Sequence, residues 1–379
     1  MNFNIEYKKK IDTMINCYIN SSENWDLLLS KELDEFKKNE ICIWGAGNTG
    51  KYIFNYLKNE NIEVKCFCDS DFLKWGKNIY RDTICLSKEE IKKYNNELLI
   101  IVAIEDSDAL VESLKNDGFE KIYNFKKIEW MKLKAKFEKF ILENDIEDLK
   151  EKIYKLIDIC EDEQSKKICL QVIENWFSGY NKTIDYTKSQ YFVSDIIKKD
   201  KNEVFIDVGA FDGDTIKTFL EFYKNEFSEI HAFEIDDYNY KLLLNSVDNF
   251  DYETKKKIFT YNLGICDYNG TISYESNNIA TLISSNGAEH TNVVTLDSQL
   301  LGKKITFIKM DIEGFEIKAL TGASNLITKN KPKLAICIYH KFEDLWEIPF
   351  YIKRLNAEYK IYIRHHSFNL YETVCYAII

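Results

Sequence analysis

Twice along this chain a run of apolar residues ends in a glycine-rich turn that leads into an amphipathic stretch, first at residues 41–50 and again at residues 204–215. After each turn, short apolar runs and amphipathic stretches alternate. Such alternation is typical of parallel β-sheets whose strands are connected by helices. In a chain of 379 residues, where about 150 residues per domain is usual, the pattern predicts two α/β domains.

Composition and charge exclude several classes of protein. Hydrophobic residues make up 45% of the chain, which is enough to build folded cores and excludes a disordered chain. The chain has 51 lysines and arginines and 62 acidic residues, which gives a net charge of −11 at pH 7. An acidic surface repels a phosphate backbone, so nucleic acid is not an expected partner. No apolar stretch reaches the ~18 residues of a membrane span, so none is predicted.

The ten cysteines indicate neither zinc nor disulfide bonds. Cys66 and Cys68 form a single C-x-C inside an apolar run, and no second pair with zinc-site spacing follows. The N-terminus, Met1 to Lys10, is polar and lacks the apolar segment of a secretory signal. We therefore expect a reduced, cytoplasmic protein in which the cysteines are small core residues.

The chain divides into four regions by pattern. Residues 1–39 are predicted as N-terminal helices, 40–125 as a small Rossmann-like domain, 126–185 as a helical linker, and 186–379 as a second α/β domain. The linker is charged but keeps apolar residues at helical spacing, including Phe137, Ile153 and Leu156. Such a stripe packs on its own domain or forms a homo-oligomer interface.

Predicted strands define the two sheets. They are 41–44, 64–68 and 98–104 in the first domain, and 204–208, 230–235, 258–262, 305–310 and 334–339 in the second. Residues 315–326 are predicted as a helix, and residues 360–364 and 372–379 as an antiparallel hairpin. A parallel sheet that ends in such a hairpin is typical of class I methyltransferases. The predicted fold is therefore α/β with two Rossmann-like domains, joined by a helical region: a small N-terminal parallel sheet and a C-terminal class I methyltransferase sheet.

The second glycine turn is rich in acids. Gly209 and Gly213 allow a tight turn and a close approach to a ligand, and Asp207, Asp212 and Asp214 flank them. Carboxylates repel a pyrophosphate but suit a ligand that carries an amino group and a sulfonium, such as S-adenosylmethionine. Glu234 ends the next strand, where an acid commonly accepts hydrogen bonds from both ribose hydroxyls.

The second domain resembles the FkbM family of S-adenosylmethionine-dependent methyltransferases, which are mostly O-methyltransferases. The resemblance lies in residues 190–192, 204–215, 233–236 and 262–264 and in the Lys-x-Asp-x-Glu-Gly-x-Glu element at 309–316. It implies S-adenosylmethionine as donor. The cofactor-binding residues are predicted to be Tyr191, Asp207, Gly209, Ala210, Phe211, Asp212, Gly213, Thr215, Glu234, Asp236, Leu263, Gly264 and Asp311.

Methyl transfer to a hydroxyl requires alignment of the nucleophile and removal of its proton. Asp311 and His340 follow two strands whose carboxyl ends share one edge of the sheet, so both are catalytic candidates together with Glu313. Two mechanisms remain open: the three residues hold Mg²⁺ or Mn²⁺, or His340 acts as a metal-free base oriented by a carboxylate. Purely structural roles are the third alternative.

Other histidines are weaker candidates. His290 is expected in a mobile loop over the pocket. His365 and His366 are expected to be solvated in a polar hairpin turn.

The first glycine turn is compatible with more than one role. Gly45, Gly47 and Gly50, with Asp69 at the end of the next strand, match the pattern of a dinucleotide site. The domain resembles the small Rossmann-like domains fused to enzymes of surface-sugar biosynthesis. Binding of a nucleotide or nucleotide sugar, a vestigial scaffold and NAD chemistry are the alternatives.

The sequence therefore predicts an S-adenosylmethionine-dependent O-methyltransferase for a sugar hydroxyl, with a nucleotide sugar or glycan for capsule or another surface polysaccharide as substrate. Two alternatives remain: a non-catalytic nucleotide-binding scaffold, and an NAD-dependent sugar oxidoreductase that works through the first domain.

Overall fold

The computed structural model describes residues 3–19, 24–94, 97–103, 107–178, 183–276, 281–283, 289–367 and 370–379. The chain forms two compact units. The N-terminal unit comprises residues 15–146 and 176–181, and the C-terminal unit comprises residues 1–14, 147–175 and 182–379. No helix in the described ranges is long and apolar enough to cross a membrane.

The N-terminal unit is built around a six-stranded sheet in the order β3-β4-β2-β1-β5-β6. Its strands are β1 (Glu40–Trp44), β2 (Val64–Cys68), β3 (Asn78–Tyr80), β4 (Thr83–Leu86), β5 (Leu98–Val102) and β6 (Ile122–Asn124). Every neighbouring pair is parallel except β3 and β4. The central strands are almost entirely buried, which parallel sheets require because helices cover both faces. The predicted small parallel sheet is confirmed.

Six helices and one short turn of 3₁₀-helix lie in the first part of the chain. They are α1 (Phe3–Ile19), α2 (Trp25–Lys37), α3 (Asn48–Asn59), α4 (Lys88–Lys92), α5 (Ser107–Asn116), α6 (Lys126–Glu143) and the 3₁₀ turn Phe72–Lys74. Two further helices, α7 (Ile146–Ile159) and α8 (Glu163–Phe177), follow. In the predicted linker, Phe137, Ile153 and Leu156 are buried within the chain.

The C-terminal unit contains a seven-stranded sheet in the order β16-β17-β15-β14-β7-β8-β9. These strands are β7 (Val204–Val208), β8 (Glu229–Phe233), β9 (Ile258–Tyr261), β14 (Phe307–Met310), β15 (Lys333–Cys337), β16 (Lys360–His365) and β17 (Thr373–Ile378). Pairing is parallel from β15 through β9, and β17 is antiparallel to both β15 and β16. The predicted parallel sheet with an antiparallel C-terminal hairpin is confirmed.

A second, four-stranded sheet was not predicted. It comprises β10 (Gly264–Ile265), β11 (Gly270–Ser276), β12 (Thr281–Ile283) and β13 (Glu289–Val294), in the order β10-β13-β11-β12. His290 lies on β13 opposite Ser273, with its Nδ1 atom 3.0 Å from the Ser273 hydroxyl. The prediction of a loop at His290 was therefore wrong, because pairing with β11 makes this segment a strand.

The remaining helices are α9 (Asp214–Tyr223), α10 (Asp237–Asp248), α11 (Tyr252–Lys255), α12 (Leu296–Gln299), α13 (Glu316–Thr321), α14 (Ser324–Asn330) and α15 (Asp344–Leu355). The single helix predicted over residues 315–326 is thus two helices. At the break, a Cβ atom on Gly322 would lie 2.0 Å from the carbonyl oxygen of Cys266. This close backbone approach requires glycine and redirects the chain between α13 and α14.

The hairpin histidines also differ from expectation. His365 is fully buried and His366 nearly so. The Nδ1 atom of His365 lies 2.8 Å from the Thr373 hydroxyl, and Nε2 of His366 lies 2.8 Å from the Tyr376 hydroxyl. The prediction of solvated side chains was wrong because the polar sequence around them gave no sign of these buried partners.

Candidate functional site

The sheet of the C-terminal unit brings the predicted site residues to one edge. Gly209, Glu234 and Asp311 follow the carboxyl ends of the parallel strands β7, β8 and β14, and His340 follows β15. Ligands of open α/β sheets bind outside these strand ends. The site is therefore a product of topology, since the residues are far apart in sequence.

A cleft opens at this edge, with an empty volume of about 850 Å³ including its open mouth, a size typical of ligand sites. Its lining includes six of the predicted cofactor-binding residues: Gly209, Phe211, Glu234, Leu263, Gly264 and Asp311. Glu313 lines it as well. Three carboxylates in an otherwise largely apolar cleft suit a ligand with positive charge.

A buried ion pair lies beneath the glycine turn that lines the cleft. Lys309 Nζ lies 2.9 Å from Asp207 Oδ1, and both side chains are almost completely buried. The same ammonium group donates to the carbonyl oxygen of Gly209 at 2.6 Å. Asp207 does not line the cleft, and its charge is paired with Lys309, so it supports the glycine turn from below.

Gly209 is the tightest point of that turn. Its φ of 81° lies in the left-handed region, and a Cβ atom there would lie 2.0 Å from the carbonyl oxygen of Asp311. Only glycine combines this conformation with this approach. The turn and the end of β14 are thereby brought together.

Glu234, which follows β8, also contacts the glycine turn. One oxygen of its carboxylate accepts from the backbone N–H of Phe211 and the other from that of Asp236, each at 2.8 Å. Burial raises the pKa of Glu234 to about 7 despite these hydrogen bonds. A carboxyl group at this position still has free lone pairs for ligand hydroxyls.

Several predicted donor residues stabilise the start of helices and do not line the cleft. The carboxylate of Asp214 accepts from the N–H of Thr215 at 2.6 Å, that of Asp212 accepts from the N–H of Asp214 at 3.1 Å, and that of Asp236 caps α10 at Asn239. The remaining predicted contacts outside the lining are Tyr191, Asp207, Ala210, Gly213 and Thr215.

The cleft also contains residues that the sequence did not single out. Asn239 lines it, is 3% exposed, and has a side-chain oxygen that is buried without a hydrogen-bond partner. Apolar walls come from Ile235, Ile265, Ile272, Val293, Ile312 and Phe315. An amide at the third position of α10 has no sequence pattern that marks it as ligand-binding.

At one end of the cleft, His340 lies among carboxylates. Its Nε2 atom is 3.3 Å from Asp311 Oδ1 and 3.7 Å from Glu313 Oε2, and its Nδ1 atom is 3.0 Å from Glu316 Oε1. Glu316 is fully buried and accepts from the N–H of Ile312 at 2.9 Å. The imidazole therefore lies between a buried carboxylate on one side and two cleft-lining carboxylates on the other.

Two tyrosines hold Asp311. The hydroxyl of Tyr191 donates to Oδ2 at 2.9 Å, and the hydroxyl of Tyr339 donates to Oδ1 at 3.1 Å. Tyr191 contributes its hydroxyl from a left-handed backbone conformation, with φ 62°. Strained residues of this kind concentrate at functional sites.

These contacts set the charge state of the cluster. Burial alone would lower the pKa of His340, but the carboxylates of Asp311 and Glu316 raise it well above its usual value. Burial would raise the pKa of Asp311, yet His340, Lys309 and Tyr191 hold it well below its usual range. Burial raises the pKa of Glu313. The carboxylates around His340 therefore favour its protonated form.

Comparison with known proteins matches this domain to one family. Residues 207–370 match the model of the methyltransferase FkbM domain. This chain carries an FkbM methyltransferase domain. It is an S-adenosylmethionine-dependent methyltransferase, and the matched residues include the glycine turn, Glu234, Asp311 and His340.

Two solved structures are similar to this chain to different degrees. A methyltransferase FkbM from Methylobacillus flagellatus KT is 20% identical, covers 99% of both chains and has a TM-score of 0.66. An rRNA methylase from Streptococcus thermophilus is 10% identical over 50% of this chain and 94% of its own, with a TM-score of 0.31. At 20% identity the first likeness establishes the fold alone. No curated protein matches the chain.

The N-terminal unit matches a different family, described as C2185-like, N-terminal, over residues 37–123. Gly45 and Gly47 lie between β1 and α3, and Gly50 lies in the first turn of α3. Asp69 accepts from the N–H of Ala46 at 2.8 Å and lies 2.8 Å from Lys74 Nζ. Asp69 thus contacts its glycine turn as Glu234 does in the FkbM domain, but it also has a lysine partner.

The FkbM domain brings together two of the three residues predicted to hold a divalent ion, Asp311 and His340. Within the described ranges, the groups whose ligand atoms lie close enough to share an ion are Asp311, Glu316 and His340, so Glu316 replaces the predicted Glu313. A histidine ligand must offer a deprotonated nitrogen, and so must a general base, so the protonation of His340 does not separate the two predicted mechanisms. No step below depends on a metal.

Replacing Glu234 tests the donor site of the FkbM domain. In Glu234→Ala the backbone N–H groups of Phe211 and Asp236 lose their acceptor. If Glu234 binds the donor ribose as predicted, S-adenosylhomocysteine binding should weaken by about 1–3 kcal/mol. Calorimetric titration measures this, with circular dichroism to confirm the fold. Unchanged affinity in a folded variant would refute the role of Glu234.

Proposed function

We propose that this protein is an O-methyltransferase that acts on a sugar hydroxyl, and that the sugar is nucleotide-linked and destined for capsule or another surface polysaccharide. The observation that carries the O-methyl assignment is the Glu316–His340–Asp311 array at one end of the donor cleft. A hydroxyl needs a proton acceptor beside the reacting methyl group, and this array supplies one.

The reaction follows from the array. The hydroxyl oxygen attacks the methyl carbon in line with the carbon–sulfur bond, which breaks and leaves a neutral thioether. His340, in its neutral form, takes the hydroxyl proton at Nε2, the nitrogen that faces the cleft residues Asp311 and Glu313. Glu316 holds Nδ1–H on the opposite side and stabilises the imidazolium that forms.

Two further parts of the proposal rest on other observations. An N-terminal unit with a glycine turn and Asp69 supports a nucleotide-linked substrate, and we propose that this turn binds a nucleotide or nucleotide sugar. Ten free cysteines are typical of proteins from a reducing compartment, which supports a cytoplasmic location. Nucleotide sugars offered with a labelled methyl donor test the substrate class, and calorimetry with NAD tests the redox alternative for the N-terminal unit.

The pH profile tests the role of Glu316. Because the base works only when neutral and its pKa is raised, activity at saturating donor should increase with pH through a value above the ordinary ~6.5 of histidine. Glu316→Gln removes the negative charge beside Nδ1 of His340 and should shift this rise in activity to lower pH. The amide oxygen of the glutamine can still accept from the N–H of Ile312.

Glu358→Gln is the matched control, because Glu358 is an exposed partner of Lys331 on the surface. Its profile should coincide with that of the wild type. If activity rises at the same pH in Glu316→Gln as in the wild type, the pairing of Glu316 with His340 is contradicted.

A further inference from the structure

The antiparallel strand β17 begins at the edge where the parallel strands end. Cys337 pairs with Val374, and the N–H of Ile338 donates to the carbonyl oxygen of Thr373 at 2.9 Å. This register places Tyr371 and Glu372 beside the segment that carries Tyr339 and His340. Along the edge the order is therefore Glu372, His340, Asp311, Gly209 and Glu234.

This order separates two halves of the site. Gly209 and Glu234 bound the donor cleft, and Asp311 lies at the centre, where the methyl group must be transferred. Glu372 lies on the far side of Asp311 and does not line the donor cleft. The acceptor hydroxyl approaches from the side opposite the leaving sulfur, so an acceptor aligned with the donor would lie on the side of Asp311 where Glu372 is.

Glu372 is fixed in an unusual conformation. Its backbone has φ 72°, which costs energy for a residue with a side chain and persists where the surroundings enforce it. The side-chain amide of Gln190 donates to its carboxylate. Burial raises the pKa of Glu372 to about 7, and the charge of Asp311 adds to this effect.

An aromatic surface lies next to this carboxyl group. The ring of Tyr371 is 41% exposed and meets the ring of Tyr339 edge to face, with centroids 6.2 Å apart. The hydroxyl of Tyr339 in turn contacts Asp311. An exposed ring beside carboxyl and amide groups matches a sugar, which has an apolar face and a rim of hydroxyls.

The charges around this space disfavour a carboxylate on the acceptor ring. Carboxyl groups of Asp311, Glu313 and Glu372 surround it. Nearby, His340 lies beside Asp311 and Glu316, and Lys309 is paired with Asp207. The ammonium group of Lys341 donates to the carbonyl oxygen of Gly314. A carboxylate on the acceptor ring would meet the like charges of Asp311 and of the ionised form of Glu372.

We infer that Glu372, held by Gln190, determines acceptor specificity by selecting a neutral sugar ring and rejecting a uronic acid. The inference rests on the proposed sugar O-methyltransferase function. Glu372 would thereby distinguish acceptors by the charge of their sugar ring.

The experiment compares matched acceptors with labelled S-adenosylmethionine as donor. Wild type, Glu372→Gln and the surface control Glu358→Gln are assayed with UDP-glucose against UDP-glucuronate and UDP-galactose against UDP-galacturonate. The wild type and the control should prefer the neutral member of a pair by at least about tenfold in kcat/KM, because like charges in a partly buried site are costly. Glu372→Gln should reduce this preference severalfold, with S-adenosylhomocysteine affinity unchanged.

Each other outcome is decisive. Equal use of both members by the wild type, or an unchanged preference in a folded Glu372→Gln, overturns the inference and leaves the methyltransferase function intact. If S-adenosylhomocysteine binds but none of the sugars is methylated, the proposed sugar substrate is wrong, and the inference about Glu372 is wrong as well. Should Glu372→Gln not fold, Tyr371→Ala at the exposed ring replaces it, and an unchanged KM for the neutral acceptors then overturns the inference.

Discussion

Lys309→Met should destabilise the protein by about 3–5 kcal/mol, the usual result of leaving a buried charge without its partner. Asp207 is fully buried and its charge is balanced by Lys309 at 2.9 Å. The variant also removes the donor to the carbonyl oxygen of Gly209. Urea denaturation followed by circular dichroism measures the loss.

Two matched variants make this result specific. Adding Asp207→Asn removes the uncompensated charge, so the double variant should recover part of the lost stability. Lys201→Met removes an exposed lysine that pairs with Glu226 on the surface and should change the free energy of unfolding by less than about 0.5 kcal/mol. A loss below about 1 kcal/mol in Lys309→Met would show that the ion pair does not support the glycine turn.

His340→Ala should lower turnover by about 10²–10⁴-fold, the usual contribution of a general base. Donor binding should change little, because His340 does not line the donor cleft. Steady-state kinetics and calorimetry with S-adenosylhomocysteine separate the two effects. EDTA should leave the wild-type activity unchanged, since the base needs no metal.

His290→Ala is the control, because His290 is exposed on β13 and should retain turnover. If His340→Ala keeps full turnover and His290→Ala does not, the base has been assigned to the wrong histidine. If EDTA abolishes activity and Mg²⁺ or Mn²⁺ restores it, the cluster around His340 holds a metal and the metal-free mechanism is wrong.

The parts of the fold that follow local rules were predictable from the sequence. A buried strand followed by glycines and a helix is encoded within a dozen residues, so both glycine turns were found, as was the acid at the end of each second strand. The antiparallel hairpin was found because its two strands are close in sequence. Strand topology then placed Asp311 and His340 at the same edge without knowledge of any contact.

What the sequence could not provide depends on distant partners. The burial of His365 and His366 requires Thr373 and Tyr376, and the break at Gly322 requires the carbonyl of Cys266. The pairing of Asp207 with Lys309 could not be predicted either, because a carboxylate beside a glycine turn gives no sign in the sequence of its distant partner. Asn239 lines the cleft only because α10 presents its third residue there.

The most direct test of the account is the position of the transferred methyl group. Enzyme, nucleotide sugars and S-adenosylmethionine carrying a ¹³C-labelled methyl group are incubated, and the products are fragmented in a mass spectrometer. We expect one labelled methyl on a former hydroxyl oxygen of the sugar and loss of this product in His340→Ala. Label on a nitrogen, on the nucleobase, or on no sugar at all, from an enzyme that binds S-adenosylhomocysteine, would contradict it.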